Sequence, residues 1–273
     1  MANFGGQAAA AVLNVILVPF YIRMLGIEAY GLIGFFVSLQ ALIAIFDFGL
    51  GATTTREIAK RAQGGAAEKK EIYQILGTLE FVYVGIGACI AVLIFFLANF
   101  IASQWINAGK VPVETIKFAI IIFGFIMAFR WPISLYGGVL NGLELQVLIN
   151  TVSLIVMVFK TVGIIIILLF ISNTLFAFFI WQLITSIIEL FVFYFIAWKK
   201  VPYKENNKYF NINVLKSLWQ FSIKMSFISI CAAVLKQMDK LLIVKFFPLQ
   251  QVGYYYTATA LVSGIFLFSS PIT

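Results

Sequence analysis

The chain contains no histidine, and only 11% of its 273 residues are charged. The first absence removes imidazole acid–base chemistry, triads built on histidine and most transition-metal sites. The second removes the soluble class, because a soluble domain carries about 25% charged residues to cover its surface. Cysteine is scarce too. Cys89 and Cys231 both lie inside apolar runs, with neither metal-ligand spacing nor a disulfide framework. Paired carboxylates and Asp-x-Asp motifs are missing as well, which argues against glycan-processing chemistry. No cofactor and no metal site is expected. The N-terminus, Met1-Ala-Asn-Phe-Gly-Gly, has no basic stretch of the kind that opens a secretory signal.

What the chain does have is apolar length. Hydrophobic residues make up 62% of it, and the mean hydropathy is +1.02. The apolar residues fall in runs of the roughly 20 residues that cross a hydrocarbon core as helix. Eight spans are predicted: 4–24, 31–50, 79–101, 116–140, 146–171, 175–198, 218–244 and 252–269. Runs such as Ile164–Ile171 show no alternation, so the segments are helices and not barrel strands. Ser172-Asn-Thr is a turn between the fifth and sixth spans. The fold class is therefore all-α, a polytopic membrane helix bundle. A net charge of +8 would suggest nucleic acid in a soluble protein, but here the basic residues sit between the spans. Nucleic acid is not an expected partner.

The loop charges set an orientation. Arg56, Lys60, Arg61, Lys69 and Lys70 follow the second span, and Lys199, Lys200, Lys204, Lys208 and Lys216 follow the sixth. The opposite loops hold only Arg23, Lys110 and Lys117. The basic side faces the cytoplasm, which places the N-terminus there as well. Tyr21–Gly31 also aligns with Ile243–Gly253 at an offset of 222, with Arg23 on Lys245, Ile27 on Leu249, Glu28 on Gln250 and Gly31 on Gly253. Six spans separate the copies, so the repeat is parallel, as in transporters made of two six-helix halves. The expected organisation is a first bundle over 1–200, a basic cytoplasmic linker over 201–216, and the start of a second bundle over 217–273. On that organisation the chain is expected to be a piece of a longer transporter.

Ionisable side chains at membrane depth are costly and mark sites or compensating pairs. Arg130, Lys160, Lys224 and Lys236 are the deep cations, and Asp47, Glu189 and Asp239 the deep anions. Lys160 and Glu189 lie 13 residues before and 16 after Asn173, so an antiparallel hairpin puts them within about 5 Å in depth. They form either a structural ion pair or a proton- or ion-linked site. Lys236 and Asp239 are spaced to pair on one helix face. Asp47 is an interfacial anchor or a partner of Arg56. Pro132 follows Arg130 by two and should kink its helix. The excess of cations predicts a cavity that suits an anionic group such as a pyrophosphate. Gly26, Gly31, Gly49 and Gly51 stand near helix ends, as hinges or as ordinary helix-end glycines.

Four stretches carry a family resemblance. Asn3-Phe-Gly-Gly-Gln, Pro19-Phe-Tyr-Ile-Arg-Met-Leu-Gly-Ile-Glu-Ala-Tyr-Gly with the residues after it, and Phe46-Asp-Phe-Gly-Leu-Gly-Ala-Thr followed by Thr55-Arg-Glu-Ile-Ala resemble the start of a Wzx-type polysaccharide flippase of the multidrug/oligosaccharidyl-lipid/polysaccharide exporter superfamily. Asp239–Tyr255 is similar to the seventh and eighth helices of that family. The resemblance implies two helix bundles, alternating access, and a polyprenyl-pyrophosphate-linked oligosaccharide as substrate. It further implies a bacterial or archaeal cytoplasmic membrane, and as partners membrane lipid, an ion gradient and polysaccharide assembly proteins. Two rivals remain open. One is a drug or metabolite antiporter of the same superfamily, whose cavity should lean acidic. The other is a membrane enzyme acting on glycans.

Overall fold

The structure is a computed structural model that describes residues 16–47, 49–201, 210–212, 215–216, 231 and 234–269. Those residues form a helical bundle without strands. In chain order the helices are α1 (Ile16–Leu25), α2 (Ile27–Ile43), α3 (Leu50–Ala62), α4 (Ala66–Phe100), α5 (Val113–Gly142), α6 (Gln146–Phe170), α7 (Leu175–Lys200), α8 (234–246) and α9 (Leu249–Ser269). Four of them, α4 to α7, are long and apolar enough to cross a membrane, while α1 and α2 are shorter apolar helices. Large side chains such as Phe96, Val147, Phe170 and Phe195 stand exposed on the outer faces. In hydrocarbon such a surface needs no polar cover.

The charged segment expected as a loop after the second span is helical. Leu50–Ala62 is α3, and residues from Ala66 onward already belong to α4. Gly49, at φ 68°, turns the chain into α3, a left-handed geometry that costs glycine little. Glu57 accepts from Lys60 at 2.9 Å and from Arg61 at 2.6 Å, and Arg61 reaches Glu71 on α4 at 2.6 Å. One arginine thus ties the two charged helices together. Partial burial acts to raise the Glu57 carboxyl, but its bonds to Arg61 and Lys60 outweigh that and hold it below its ordinary value.

The core is where α5 meets α4, α3 and α7. Small residues set the spacing. Gly138 backs onto the Gly51 carbonyl, and Gly142 onto Ile58 and the Thr55 carbonyl. Thr55 Oγ1 donates across to the Gly138 carbonyl at 3.1 Å. Helix α5 continues through Pro132 to Gly142. Proline cannot donate to the carbonyl four residues back, that of Ala128. Gly87 of α4 approaches just there, where an added Cβ would lie 2.8 Å from the Ala128 oxygen. Between α2, α5 and α7, Phe36 stacks on Phe123 at 4.8 Å and meets Phe179 edge-on at 5.0 Å.

The bundle has two distinct ends. At one, the short links at Gly26, 106–112, 171–174 and 248 gather around a cavity of about 490 Å³ that includes Glu28, Lys110, Thr174 and Gln250. Here Thr174 Oγ1 caps α7 by accepting from the Ala177 amide at 3.3 Å, and Glu28 accepts from the Lys110 amide at 3.0 Å. The other end carries α3, the start of α4 and the end of α7, where Tyr73 meets Trp198 at 5.2 Å. Arg56, Lys60, Arg61, Lys69, Lys70, Lys199 and Lys200 of the basic set lie on these segments, and 204 and 208 lie outside the described residues.

Candidate functional site: a polar cavity inside the helix bundle

Two adjoining cavities open among α2, α5, α6 and α7. The larger, about 290 Å³, is lined by Gln40, Asp47, Arg130, Trp131, Ser134 and Glu189 among others. The smaller, about 120 Å³, is lined by Gln40, Arg130, Lys160 and Gln182 within a ring of Phe36, Phe123, Phe178 and Phe179. Arg130 and Gln40 line both, so they form the shared wall. Four of the seven deep ionisable residues expected from sequence, Asp47, Arg130, Lys160 and Glu189, therefore meet in one place.

Their connections differ from the expected pairs. Lys160 and Glu189 do not close to an ion pair within 4 Å; Lys160 lies in electrostatic range of Arg130 and Glu189, on opposite sides of its charge balance. Counting from the turn places both residues at similar depth but cannot say which helix stands between them. Arg130 of α5 lines both cavities, while Glu189 lines the larger and Lys160 the smaller. Arg130 Nη1 donates to the amide oxygen of Gln40 at 3.0 Å, a neutral acceptor. No carboxylate lies within ion-pair distance of Arg130 among the described residues.

Asp47 is held by neutral donors. Tyr83 Oη donates to its Oδ1 at 2.6 Å, the Gly51 amide to its Oδ2 at 3.0 Å, and Ser134 Oγ to Oδ1 at 3.4 Å. The carboxylate thus fastens the start of α3 to α4 and α5 while one edge faces the cavity. Glu80 of α4, not singled out from sequence, likewise accepts from Tyr136 Oη at 3.3 Å. Asp239 accepts from Tyr255 Oη. The expected Lys236–Asp239 pair does not form: Lys236 is exposed on α8, Asp239 turns to α9, and Lys240 donates to Gln237 at 3.1 Å. Helical spacing permits such a pair, but a tyrosine on the next helix competes for the same oxygen. Lys224 lies outside the described residues.

Sequence reasoning also passed over Gln40, Tyr83 and Ser134. An amide within an apolar run was the available signal for Gln40; Tyr83 and Ser134 carried none. Trp131 is buried, at 5% exposure, in mid-helix. It does not sit at a helix end, where an indole would mark the membrane interface. It lines the larger cavity, and its Nε1 has no hydrogen-bond partner.

Over residues 1–273, the whole chain, the sequence matches the family model of polysaccharide biosynthesis proteins. The chain belongs to the polysaccharide biosynthesis protein family. This membership agrees with the resemblance to Wzx-type flippases, and with the four long apolar helices it makes the chain a multi-pass membrane transporter related to polysaccharide synthesis. No curated protein and no solved structure gives a significant match. Within the family frame, the polar cavity is the part of the described bundle where charge has been placed at membrane depth.

Proposed function

We propose that this chain moves a polyprenyl-pyrophosphate-linked oligosaccharide across the bacterial or archaeal cytoplasmic membrane by alternating access, with its N-terminus and charged end in the cytoplasm. Residues 1–200 act as the first bundle, 201–216 as the linker and 217–273 as the start of the second. The observation that carries this reading is the state of Arg130. It has five N–H donors, and its hydrogen bond goes to a neutral amide. Asp47, a carboxylate of the same cavity, is already engaged by three neutral donors. The described cavities hold two cations and two carboxylates, yet the guanidinium keeps donors free for an anion. A guanidinium binds phosphate oxygens as a fork, and a lysine adds a point charge. Lys160, Lys224 and Lys236 are the lysines assigned that role. Glu189, with Asp47 and Asp239, is assigned to coupling with an ion gradient.

The test is glycan export in cells at matched protein levels. Arg130→Ala and Lys224→Ala should each reduce export by about tenfold or more, because the loss of one charge-assisted bond is worth about 1.5–3 kcal/mol. Wild-type export by both variants would remove the cationic site. Preferential binding of a cationic dye over a lipid-linked glycan would favour the antiporter reading instead.

A further inference from the structure

The two cavities that share the Arg130–Gln40 wall carry opposite charge. The larger sets Arg130 against two carboxylates, Asp47 and Glu189. The smaller is lined by Arg130 and Lys160, and among the described residues no carboxylate lines it. Of the two charges in range of Lys160, that of Arg130 acts on it more strongly than that of Glu189. Two like charges around one small space in a bundle interior are costly unless they are paired.

The fold holds these cations where they are. Phe36, Phe123, Phe178 and Phe179 ring the smaller cavity and are each 3–4% exposed. Such apolar walls leave the field of the cations unscreened. Gly163 makes room for Trp181, because a Cβ there would overlap the indole ring. Trp181 Nε1 donates to the Lys160 carbonyl at 2.9 Å, which fastens α6 to α7 at the level of the lysine. Gln40 accepts from Arg130 through its amide oxygen, so its NH2 group remains a donor. Gln182 of α7 adds a second amide to the lining. Guanidinium, ammonium and amide N–H groups thus converge on one dry pocket.

Size and charge narrow the ligand. The smaller cavity is about 120 Å³, the share of about four water molecules at about 30 Å³ each. The pyrophosphate of a lipid-linked glycan is substituted at both ends, so it can reach Arg130 from the larger cavity but cannot be enclosed in the smaller. Arg130 and Lys160 bring two positive charges, and Glu189, in electrostatic range, brings one negative charge. One monovalent anion completes the balance. We infer that the smaller cavity binds a halide-sized monovalent anion between Lys160 and Arg130. Resting on the reading of Arg130 as the pyrophosphate ligand, this anion holds the place of the substrate's charge in the substrate-free transporter. Both draw on the Arg130 donors, so each displaces the other.

The test is equilibrium binding of radiolabelled chloride to the full-length protein in lipid nanodiscs, with gluconate keeping the ionic strength constant. One saturable site per chain is expected. Lys160→Met should weaken binding by about tenfold or more. Glu189→Gln should tighten it severalfold, a gain that the loss of a purely structural carboxylate would not give. The absence of saturable binding to a protein of wild-type thermal stability, or binding untouched by Lys160→Met, would overturn the inference. If Lys160→Met does not fold, Glu189→Gln decides, and equal or weaker binding overturns it. Inorganic phosphate that displaces chloride at a lower concentration than chloride itself would overturn the halide assignment. Undecaprenyl pyrophosphate should also displace the label. Saturable chloride binding that it leaves untouched counts against the pyrophosphate reading of Arg130 and leaves the anion site standing.

Discussion

The bond between Tyr83 and Asp47 offers the sharpest energetic test of the bundle. Tyr83 is fully buried, at 0% exposure, and its hydroxyl donates to Asp47 Oδ1 at 2.6 Å. Hydrogen bonds between side chains in a membrane average about 0.6 kcal/mol and reach about 1.7 kcal/mol. A bond to an ionised carboxylate is roughly twice as strong as a neutral one, so about 1–1.7 kcal/mol is expected here. Tyr83→Phe removes the donor and keeps the ring, and the carboxylate retains the Gly51 amide and Ser134. No buried charge is stranded, so the larger penalty of an unpaired ion does not arise. Asp47→Asn removes the charge and presents an amide to the same cavity. Unfolding of the two single variants and the double variant in lipid nanodiscs, followed by tryptophan fluorescence, closes a double-mutant cycle. The coupling should reach about 1 kcal/mol or more. Independent sites add within about 0.3–0.5 kcal/mol. A cycle that closes within that margin would refute the role of Tyr83 as the fastening of Asp47.

Two adjacent glycines of α5 make a matched pair. Gly138→Ala would place a Cβ 2.8 Å from the Gly51 carbonyl, whereas at Gly137 it meets nothing within 4 Å. The first should cost about 1–3 kcal/mol by overpacking, and the second should be neutral or stabilise by up to about 1 kcal/mol through helix propensity; equal losses in thermal stability would contradict the α3–α5 packing. Acid should loosen the α3–α4 hairpin. Glu57 is held below its ordinary value, so its contribution is fully present above that value, about 4.5, and is lost as pH falls through the lowered folded value. Hydrogen exchange at the ends of α3 should therefore rise on acidification below that range, and Glu57→Gln should flatten the response and raise exchange at neutral pH.

Hydrophobic length made the long helices readable. The spans over 146–171 and 175–198 coincide with α6 and α7 to within two residues at each end, because bilayer thickness and backbone satisfaction leave a chain few options. The segment 56–71 was not readable in that way. A hydropathy reading sees only its charge, while its helices depend on Arg61 bridging Glu57 and Glu71 and on glycine contacts with α5. Deep charges were legible one by one, since each is costly in hydrocarbon. Their partners were not, because Asp47 and Asp239 found tyrosine hydroxyls on other helices.

Those tyrosine partners change what the interior charges can do. A carboxylate paired with lysine forms a neutral unit that holds helices together and offers little to a ligand. A carboxylate held by tyrosine keeps its negative charge without using up a cation. In this bundle that leaves Arg130 hydrogen-bonded to Gln40 and Lys160 without an ion pair to Glu189. Asp47 is fastened by neutral donors, and on the proposed function Arg130 and Lys160 are kept for an anion. Gln40 links this arrangement to the rest of the bundle, because it grips Arg130 from a helix whose opposite face packs on α9 through Ser38 and Tyr256. An anion that took the Arg130 donors from Gln40 would loosen one side of α2 while the other side stayed packed on α9. Charge in the cavity and the packing of α2 on α9 would then both depend on the position of one helix.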